Sequence, residues 1–398
     1  MPVDIGAPVE MKFTASLVER KLREKERLAA MLESQLTSRE VRAAAGDGHA
    51  KRRPRPCGLT IHTGVGCSFG CIYCYVPDMG FPMRPRPYPL TGLQLVYALS
   101  VNPFFVPGLE GTLLAFGSVT EPFMSETFSR AIEYLEHTKR YLGNPQQVST
   151  KAALSEEQVE ALARSADPRI DVLVSVSTIR LASRLEPGAP SPRERLRSAS
   201  YMVKRGMSVT LFVRPIIPGV TDREANAIFS EAKIAGIDKV VLGSLRVTPG
   251  ILRRLRALGF IDVAGIERRL PRRPTTPKDQ VVVLERDVKL KVEETARKHG
   301  LMVLPSSCSS NVHAHGLYCN ACKWGPCGTG EPPQLDLREI AEAAEILGCG
   351  KAAARLATIR GTGRSVLEVE CLKPKESRVK AVVAAWLETL TKLQVVVS

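Results

Sequence analysis

Three cysteines, Cys67, Cys71 and Cys74, stand in the stretch GCSFGCIYCYVP, residues 66 to 77, with C-x3-C-x2-C spacing. Soft thiolates at such spacing favour an iron–sulfur cluster, zinc or Cu(I). A structural zinc takes four protein ligands, and this loop supplies three; Cys57, ten residues upstream of the first, is a further thiol that keeps zinc open. The chemistry that three thiolates fit best is a [4Fe–4S] cluster with one iron left open. That iron can chelate a small molecule bringing its own nitrogen and oxygen donors, as S-adenosylmethionine does with its amino and carboxylate groups. Gly66 and Gly70 let the backbone wrap closely around a cluster, and Tyr73 puts an aromatic ring where an adenine would lie.

A second set, Cys308, Cys319, Cys322 and Cys327, has C-x10-C-x2-C-x4-C spacing. Four thiolates are a complete ligand set, and an auxiliary [4Fe–4S] cluster and a structural zinc both fit it. A cluster there would relay electrons or ligate substrate; a zinc would fasten the C-terminal helices to the main domain. His313 and His315 between these cysteines are substitute ligands or merely exposed, and Tyr318 and Trp324 stack on a base or pack over the loop. Cys349 and Cys371 have no partners at ligand spacing and are read as helix residues.

The chain around these sites has 398 residues, 44% hydrophobic and 24% charged, which is the composition of a globular protein able to build its core without disulfides. Seven of its ten cysteines fall in the two clusters. No apolar leader opens the chain and no apolar run reaches membrane-spanning length, so a cytoplasmic protein with reduced, metal-binding thiols and no membrane partner is expected. The formal net charge of +15 points to a polyanionic partner, RNA or DNA. Its most local basic signals are KRRPRP at 51–56 and RPRP at 84–87.

The elements that must position the cysteines follow from periodicity. Residues 14–46 predict a helical arm, followed by the linker GDGHAKRRPRP. From 58 to 245, six apolar β-branched runs (58–63, 112–117, 146–150, 170–177, 208–217 and 239–245) alternate with helical segments at 90–100, 125–142, 155–165, 192–205 and 222–235. That alternation predicts an α/β fold with a parallel sheet, an open, partial (β/α)6 TIM-type barrel ahead of a flat doubly wound sheet. A further helix at 280–299 and a short closing strand at 300–305 complete it. Two helices, 335–356 and 377–393, follow the second cysteine set. The expected domains are the arm and basic linker (1–56), the barrel (57–305), the Cys-rich segment (306–330) and a helical appendage (331–398). The cysteine loop follows the first strand directly, at the carboxyl edge where such sheets carry their chemistry.

The C-x3-C-x2-C loop with an aromatic before its third cysteine resembles the signature of the radical S-adenosylmethionine superfamily. TLLAFGSVTEP, VSTK, SVS, SRLEPGAPSPRERL and VRPIIPGVTD follow in order and resemble the members grouped with spore photoproduct lyase. The resemblance implies that Ser118, Thr120 and Glu121 hydrogen-bond the amino group of the cosubstrate. It implies that Lys151 neutralises the carboxylate and that Ser177 contacts ribose or the amino group. Arg184 and Glu186 would be further contacts or a structural ion pair. Ile217 and Gly219 would pack on adenine, and Asp222 stands where the family motif has Glu, or is the N-cap of the next helix.

The function so implied is reductive cleavage of S-adenosylmethionine at a [4Fe–4S] cluster. A 5′-deoxyadenosyl radical then abstracts hydrogen from a substrate, RNA or DNA being the expected class, with a reducing protein as electron donor. The departure is at Ser118. Spore photoproduct lyases carry a hydrogen-donating cysteine there, and an O–H bond is too strong to replace it, so repair of the spore lesion is not expected. The alternative reading is an iron–sulfur nucleic-acid-binding or redox-sensing protein without turnover.

Overall fold

The computed structural model describes residues 12–359, 361–362, 364–372 and 377–398; the first residues of the expected arm, 1–11, lie outside them. Seven strands follow one another in chain order across one sheet: β1 (Leu59–Ile61), β2 (Leu114–Phe116), β3 (Gln146–Thr150), β4 (Asp171–Ser175), β5 (Ser208–Ile216), β6 (Lys239–Ser244) and β7 (Met302–Leu304). Every neighbouring pair is parallel. Helices α1 (Ala15–Glu33) and α2 (Ser38–Gly46) precede the sheet. The crossovers carry α3 (Gly92–Val101), α4 (Phe128–Tyr141), α5 (Glu156–Ser165), α6 (Pro192–Lys204) and α7 (Thr221–Ile234). After β6 come α8 (Pro249–Ala257) and α9 (Arg286–Lys298), and α10 (Ser307–Ala314) follows β7. This is an open, partial TIM-type barrel, with β7 as the expected closing strand.

Local sequence explains the crossovers. Thr91 with Gln94, Ser155 with Gln158 and Ser191 with Glu194 form capping boxes that start α3, α5 and α6. Alternate strand residues then separate two faces. Val172, Val174, Leu211 and Val240 join the main core under the helices, while Leu173, Phe212, Val241 and Leu304 make a small cluster on the other face.

At the amino edge of the sheet that second face is polar, and α10 covers it. Asp171 is fully buried and accepts from Gln147 Nε2 at 2.6 Å and from the Ser208 and Thr210 hydroxyls at 3.2 Å each. Gln147 also donates to the Ser307 carbonyl at 2.6 Å, and the Thr210 and Ser310 hydroxyls meet at 2.6 Å. These contacts set Cys308 beneath the barrel, opposite the edge that carries Cys67, Cys71 and Cys74.

The amino-terminal segment is no detached arm. The expected single helix is two, broken before Thr37, whose hydroxyl forms a capping box with Glu40. Leu32 and Ala44 belong to the main core. Lys25 is buried, donates to the Asn102 carbonyl and to the Phe105 carbonyl at 3.0 Å, and burial lowers its pKa to about 7. The linker is ordered too: His49 is fully buried with Nδ1 2.7 Å from Asp47, whose second oxygen accepts from the Tyr88 hydroxyl at 2.7 Å. Charge density suggested a solvated arm, but the Lys25 stem lies along apolar surface and its ammonium group satisfies loop carbonyls.

The carboxyl-terminal region also departs from expectation. Helix α11 (Leu337–Ala344) ends early, and the GKAAARL stretch forms β8 (Ala352–Thr358), antiparallel to β9 (Ser365–Cys371). Helix α12 (Ser377–Thr391) and β10 (Gln394–Val397), parallel to β9, finish the unit. Helix formers lie in a strand here because cross-strand pairing outweighs local propensity. Cys349 and Cys371, expected in helices, form a disulfide with 5.0 Å between their Cα atoms. Phe13 and Val18 from the amino-terminal segment share a core with Trp386 and Leu387 of α12, so the two ends of the chain build one unit against the barrel. Among the described residues no helix is long and apolar enough to cross a membrane.

Candidate active site

The cysteine loop leaves β1 through the short strand Gly64–Val65 and returns through Arg86–Pro87, antiparallel to it. Gly66 has φ +88°, and a Cβ there would come 2.3 Å from the Pro82 carbonyl oxygen, so only glycine fits. Cys67 N–H donates to that same oxygen at 3.3 Å. The other side of the loop rests on the segment after β4: Ile72 N–H donates to the Leu185 carbonyl and Gly188 N–H to the Phe69 carbonyl, each at 2.9 Å. The Thr120 hydroxyl donates to the Gly66 carbonyl.

A further brace comes from α8, which the sequence did not single out. Arg254 donates to the carbonyls of Ile72 at 3.0 Å and Cys74 at 2.7 Å, and holds Asp78 through two nitrogens at 2.8 and 3.0 Å. Asp78 also accepts from the Thr248 hydroxyl, and its ion pair with Arg254 keeps its carboxyl below the usual range. An Arg five residues after a Pro at a helix start carries no local signal; only the packing of α8 on the loop gives it this role.

Burial pushes the Cys67 thiol up to about 11 and the Cys71 thiol up to about 12, and raises Cys74 as well. The Lys151 ammonium opposes that shift at all three, which places it as the charge shared by the set. Its Nζ lies 5.7 Å from the Tyr73 ring centroid. Among the described residues no three Cys, His, Asp or Glu side chains converge on a position for a single metal ion. Three thiols that share one charged neighbour, in a loop built around glycines, fit a four-iron cluster, which is wider than one ion.

The remaining expected residues divide. Tyr73 is buried and packs with Ile217, Val220 and Leu185, and its hydroxyl donates to Glu186. Ser177, fully buried after β4, has a hydroxyl with no hydrogen-bond partner, as has Thr63 after β1. Two orphaned hydroxyls at one edge of the sheet suit a polar ligand. Gly219 has φ +79° and donates to Asp222 Oδ1 at 2.7 Å, so Asp222 braces the turn into α7.

Glu121 is fully occupied within the protein. It accepts from the Thr150 hydroxyl and, at 2.8 Å, from Lys151 N–H, so it fixes the end of β3. Ser118 is exposed, and its carbonyl accepts from the Tyr75 hydroxyl at 2.7 Å.

Arg184 of SRLEP is exposed, stacks 3.7 Å from the Phe260 ring centroid and donates to the Leu258 carbonyl at 3.2 Å. On the short helix Ala182–Leu185 its neighbour Leu185 turns inward and Arg184 must turn out. Glu186 instead meets Arg195 of α6, Nη2 to Oε2 2.6 Å, with both side chains fully buried. Burial raises the Glu186 pKa, and Arg195 opposes the rise. Cys57 lies nowhere near this loop: its thiol neighbours are Cys322 and Cys308, at the opposite edge of the sheet.

Comparison with known proteins agrees with this geometry. Residues 61–232 match the model of the Radical SAM superfamily. A radical SAM Nalpha-GlyT isomerase of Pseudomonas phage M6 is 25% identical over 222 residues, covering 51% of this chain and 44% of the relative. An uncharacterized protein of Acidianus two-tailed virus is 24% identical over 201 residues, covering 46% of this chain and 65% of the relative. The chain thus spans less than two thirds of either relative. Among solved structures, a spore photoproduct lyase mutant aligns over 63% of this chain and 78% of its own with a TM-score of 0.50 and 18% identity, a likeness of fold. Residues 61–232 thus carry a likeness to the Radical SAM superfamily, and the fold around them agrees with it.

Proposed function

We propose that Cys67, Cys71 and Cys74 hold a [4Fe–4S] cluster and that the adjoining pocket binds S-adenosylmethionine for hydrogen abstraction from a nucleic-acid substrate. The observation that carries the reading is the shared position of Lys151, beside all three thiols and over Tyr73, at the carboxyl edge of the barrel. When bound, the cluster supplies the electron that splits the cosubstrate into methionine and a 5′-deoxyadenosyl radical. The protein residues bind and orient. Lys151 neutralises the carboxylate, Ser177 donates to a ribose or amino group, and Tyr73, Ile217 and Gly219 bound the adenine. Glu121 and Thr120 hold the ends of β3 and of the loop in register.

Charge at the same edge supports a polyanionic substrate. A register shift after Val213 marks the carboxyl end of β5, and Arg214 there fills the space over Gly243. Arg214 and Arg246 both flank Tyr75, beside Cys74. Arg84 and Arg86, exposed on the returning strand of the cysteine loop, extend the basic rim. The KRRPRP segment precedes β1, with Arg55 hydrogen-bonded to Gly58 at the start of the strand and Arg52 Nη1 3.1 Å from His62 Nε2 past its end. Ser118 in place of a hydrogen-donating cysteine supports a reaction other than repair of the spore lesion.

We also propose a second metal, iron–sulfur or zinc, at Cys308, Cys319, Cys322 and Cys327, a reducing electron-donor protein, and a cytoplasmic setting. Free thiols at two sites support that compartment; the Cys349–Cys371 disulfide runs against it.

The test is anaerobic reconstitution with iron and sulfide, reduction, and assay for 5′-deoxyadenosine with and without single- and double-stranded oligonucleotides. Product formed by the parent and lost in a Cys67, Cys71, Cys74 triple alanine variant is expected, with stimulation by nucleic acid. A cluster that forms but never cleaves the cosubstrate would make this a sensor rather than an enzyme. Cleavage indifferent to nucleic acid would remove that substrate class.

A further inference from the structure

The five thiols outside the cysteine loop and the disulfide lie together at the amino edge of the sheet, although one is about 250 residues from the rest in sequence, a loop that only tertiary folding can close. Cys57, Cys319 and Cys322 are the thiols near enough to Cys308 to act on it electrostatically. Cys57 in turn faces Cys322, and Cys327 faces Cys319 and Cys322. Backbone geometry fixes Cys57 there. Arg55 and Gly58 exchange backbone hydrogen bonds at 3.1 and 2.8 Å, which turns the chain tightly through Cys57. Gly58 has φ +103°, and a Cβ on it would sit 2.3 Å from the Leu113 carbonyl oxygen, so the turn lies flat on Leu113. Leu113 packs with Val312 and Leu317, and Cys308 and Cys319 pack against that same cluster. A small cleft lies between the two segments, lined by Arg55, Pro56 and Gly58 on one side and by Val312, Leu317 and Cys319 on the other.

We propose that Cys57, in place of the Cys327 named above, is a ligand of the second metal centre, completing a four-thiolate set with Cys308, Cys319 and Cys322. Cys327 stands at its rim: its thiol donates to the Trp324 carbonyl at 3.4 Å. The ligand chemistry is that of an iron–sulfur cluster, which is wider than one ion, since no three of these thiols converge on a position for a single metal ion. Its physical role follows from what surrounds it. The Cys-rich segment has a two-residue strand pair, Tyr318–Cys319 with Cys327–Gly328, and only a few buried apolar residues, too little to dock it by packing. A metal bridging Cys57 and Cys308 ties the start of β1 to α10 and so clips the two ends of the barrel sheet. From Gly58 to Thr63 the strand rises about 17 Å at roughly 3.3 Å per residue. The centre is therefore out of reach of a substrate bound at Cys67, Cys71 and Cys74, and serves as a clamp rather than a substrate ligand.

The proposal is independent of the radical reading, and its test is made in the full-length Cys67, Cys71, Cys74 triple alanine variant so that only this centre can contribute. Iron and zinc per chain are measured by mass spectrometry of the metals, with visible absorption separating a cluster from zinc. Cys57→Ser is expected to lose the metal at least tenfold faster to a chelator, with Cys327→Ser close to the parent. Retention in Cys57→Ser together with loss in Cys327→Ser overturns the assignment. Should Cys57→Ser fold poorly, iodoacetamide labelling of the unaltered chain decides. Cys57 is expected to be protected in metal-loaded protein and labelled after chelation; equal labelling in both states overturns the proposal.

Discussion

Arg254 donates to the carbonyl of Cys74 at 2.7 Å, from a helix 180 residues further along the chain. Its second carbonyl contact, Ile72, and its fork onto Asp78 close a ring around the last turn of the cysteine loop. The loop has little regular structure of its own, so an unaltered cluster geometry depends on this guanidinium. Hydrogen bonds to a charged donor contribute about 1.5–3 kcal/mol each. Arg254→Lys, which keeps the charge but cannot span both carbonyls and the carboxylate, should lower iron and sulfide retained per chain several-fold. Full occupancy with normal resistance to chelation would show that the loop holds itself.

Lys151 should act on the cosubstrate and not on cluster assembly. Removing one charge-assisted contact to a carboxylate costs about 1.5–3 kcal/mol, or roughly ten- to a hundredfold in affinity. Lys151→Met is expected to weaken S-adenosylmethionine binding by that factor, read by equilibrium dialysis, with iron content unchanged. Loss of iron instead would assign Lys151 to the thiolates.

The buried pair of Arg195 and Glu186 can be tested by breaking it from one side. Arg195→Met leaves an uncompensated buried carboxylate and should cost about 3–5 kcal/mol in urea unfolding. The double variant with Glu186→Gln should recover much of that loss. A single variant as stable as the parent would mean that water reaches the pair.

Glu285 gives a pH signature. Burial raises its pKa from 4.5 to about 7. The folded chain therefore holds a proton that the unfolded chain releases between those values. Stability tied to this group is complete below about pH 4.5 and falls as pH rises through 7, by on the order of 3 kcal/mol. Glu285→Gln should remove that part of the decline, so parent and variant unfolding curves should converge at pH 5 and separate at pH 8. An unchanged separation across pH would rule the group out.

The basic rim predicts a salt effect. Each phosphate contact contributes a slope of about 0.9 in the logarithm of the binding constant against that of salt. Arg84→Gln with Arg246→Gln should reduce the slope for a duplex or single-stranded oligonucleotide by about two. A slope that does not change places the nucleic acid elsewhere or nowhere.

Much of this was legible from residue order alone. The strand runs were recognisable because strands buried on both faces are continuously apolar, and the capping boxes marked where α3, α5 and α6 begin. The three-cysteine loop was visible because its ligands are neighbours in sequence, and the VSTK run put Lys151 at the end of β3 because strand ends are local events. Arg254, Arg195 and Cys57 were not legible in these roles. Each acts on a partner far away in the chain, and no periodicity links Arg254 to Cys74 or Cys57 to Cys322. The strand Ala352–Thr358 was missed for a related reason, since its alanines favour a helix until β9 is there to pair with them. Sequence by itself determined the alternation of strands and helices in the barrel and the place of the cysteine loop after β1, because both depend on residues within a few positions of one another. Only the tertiary structure decided which charges brace that loop, which thiols meet at the other edge, and that the two chain ends form one unit, because those depend on contacts closed across hundreds of residues.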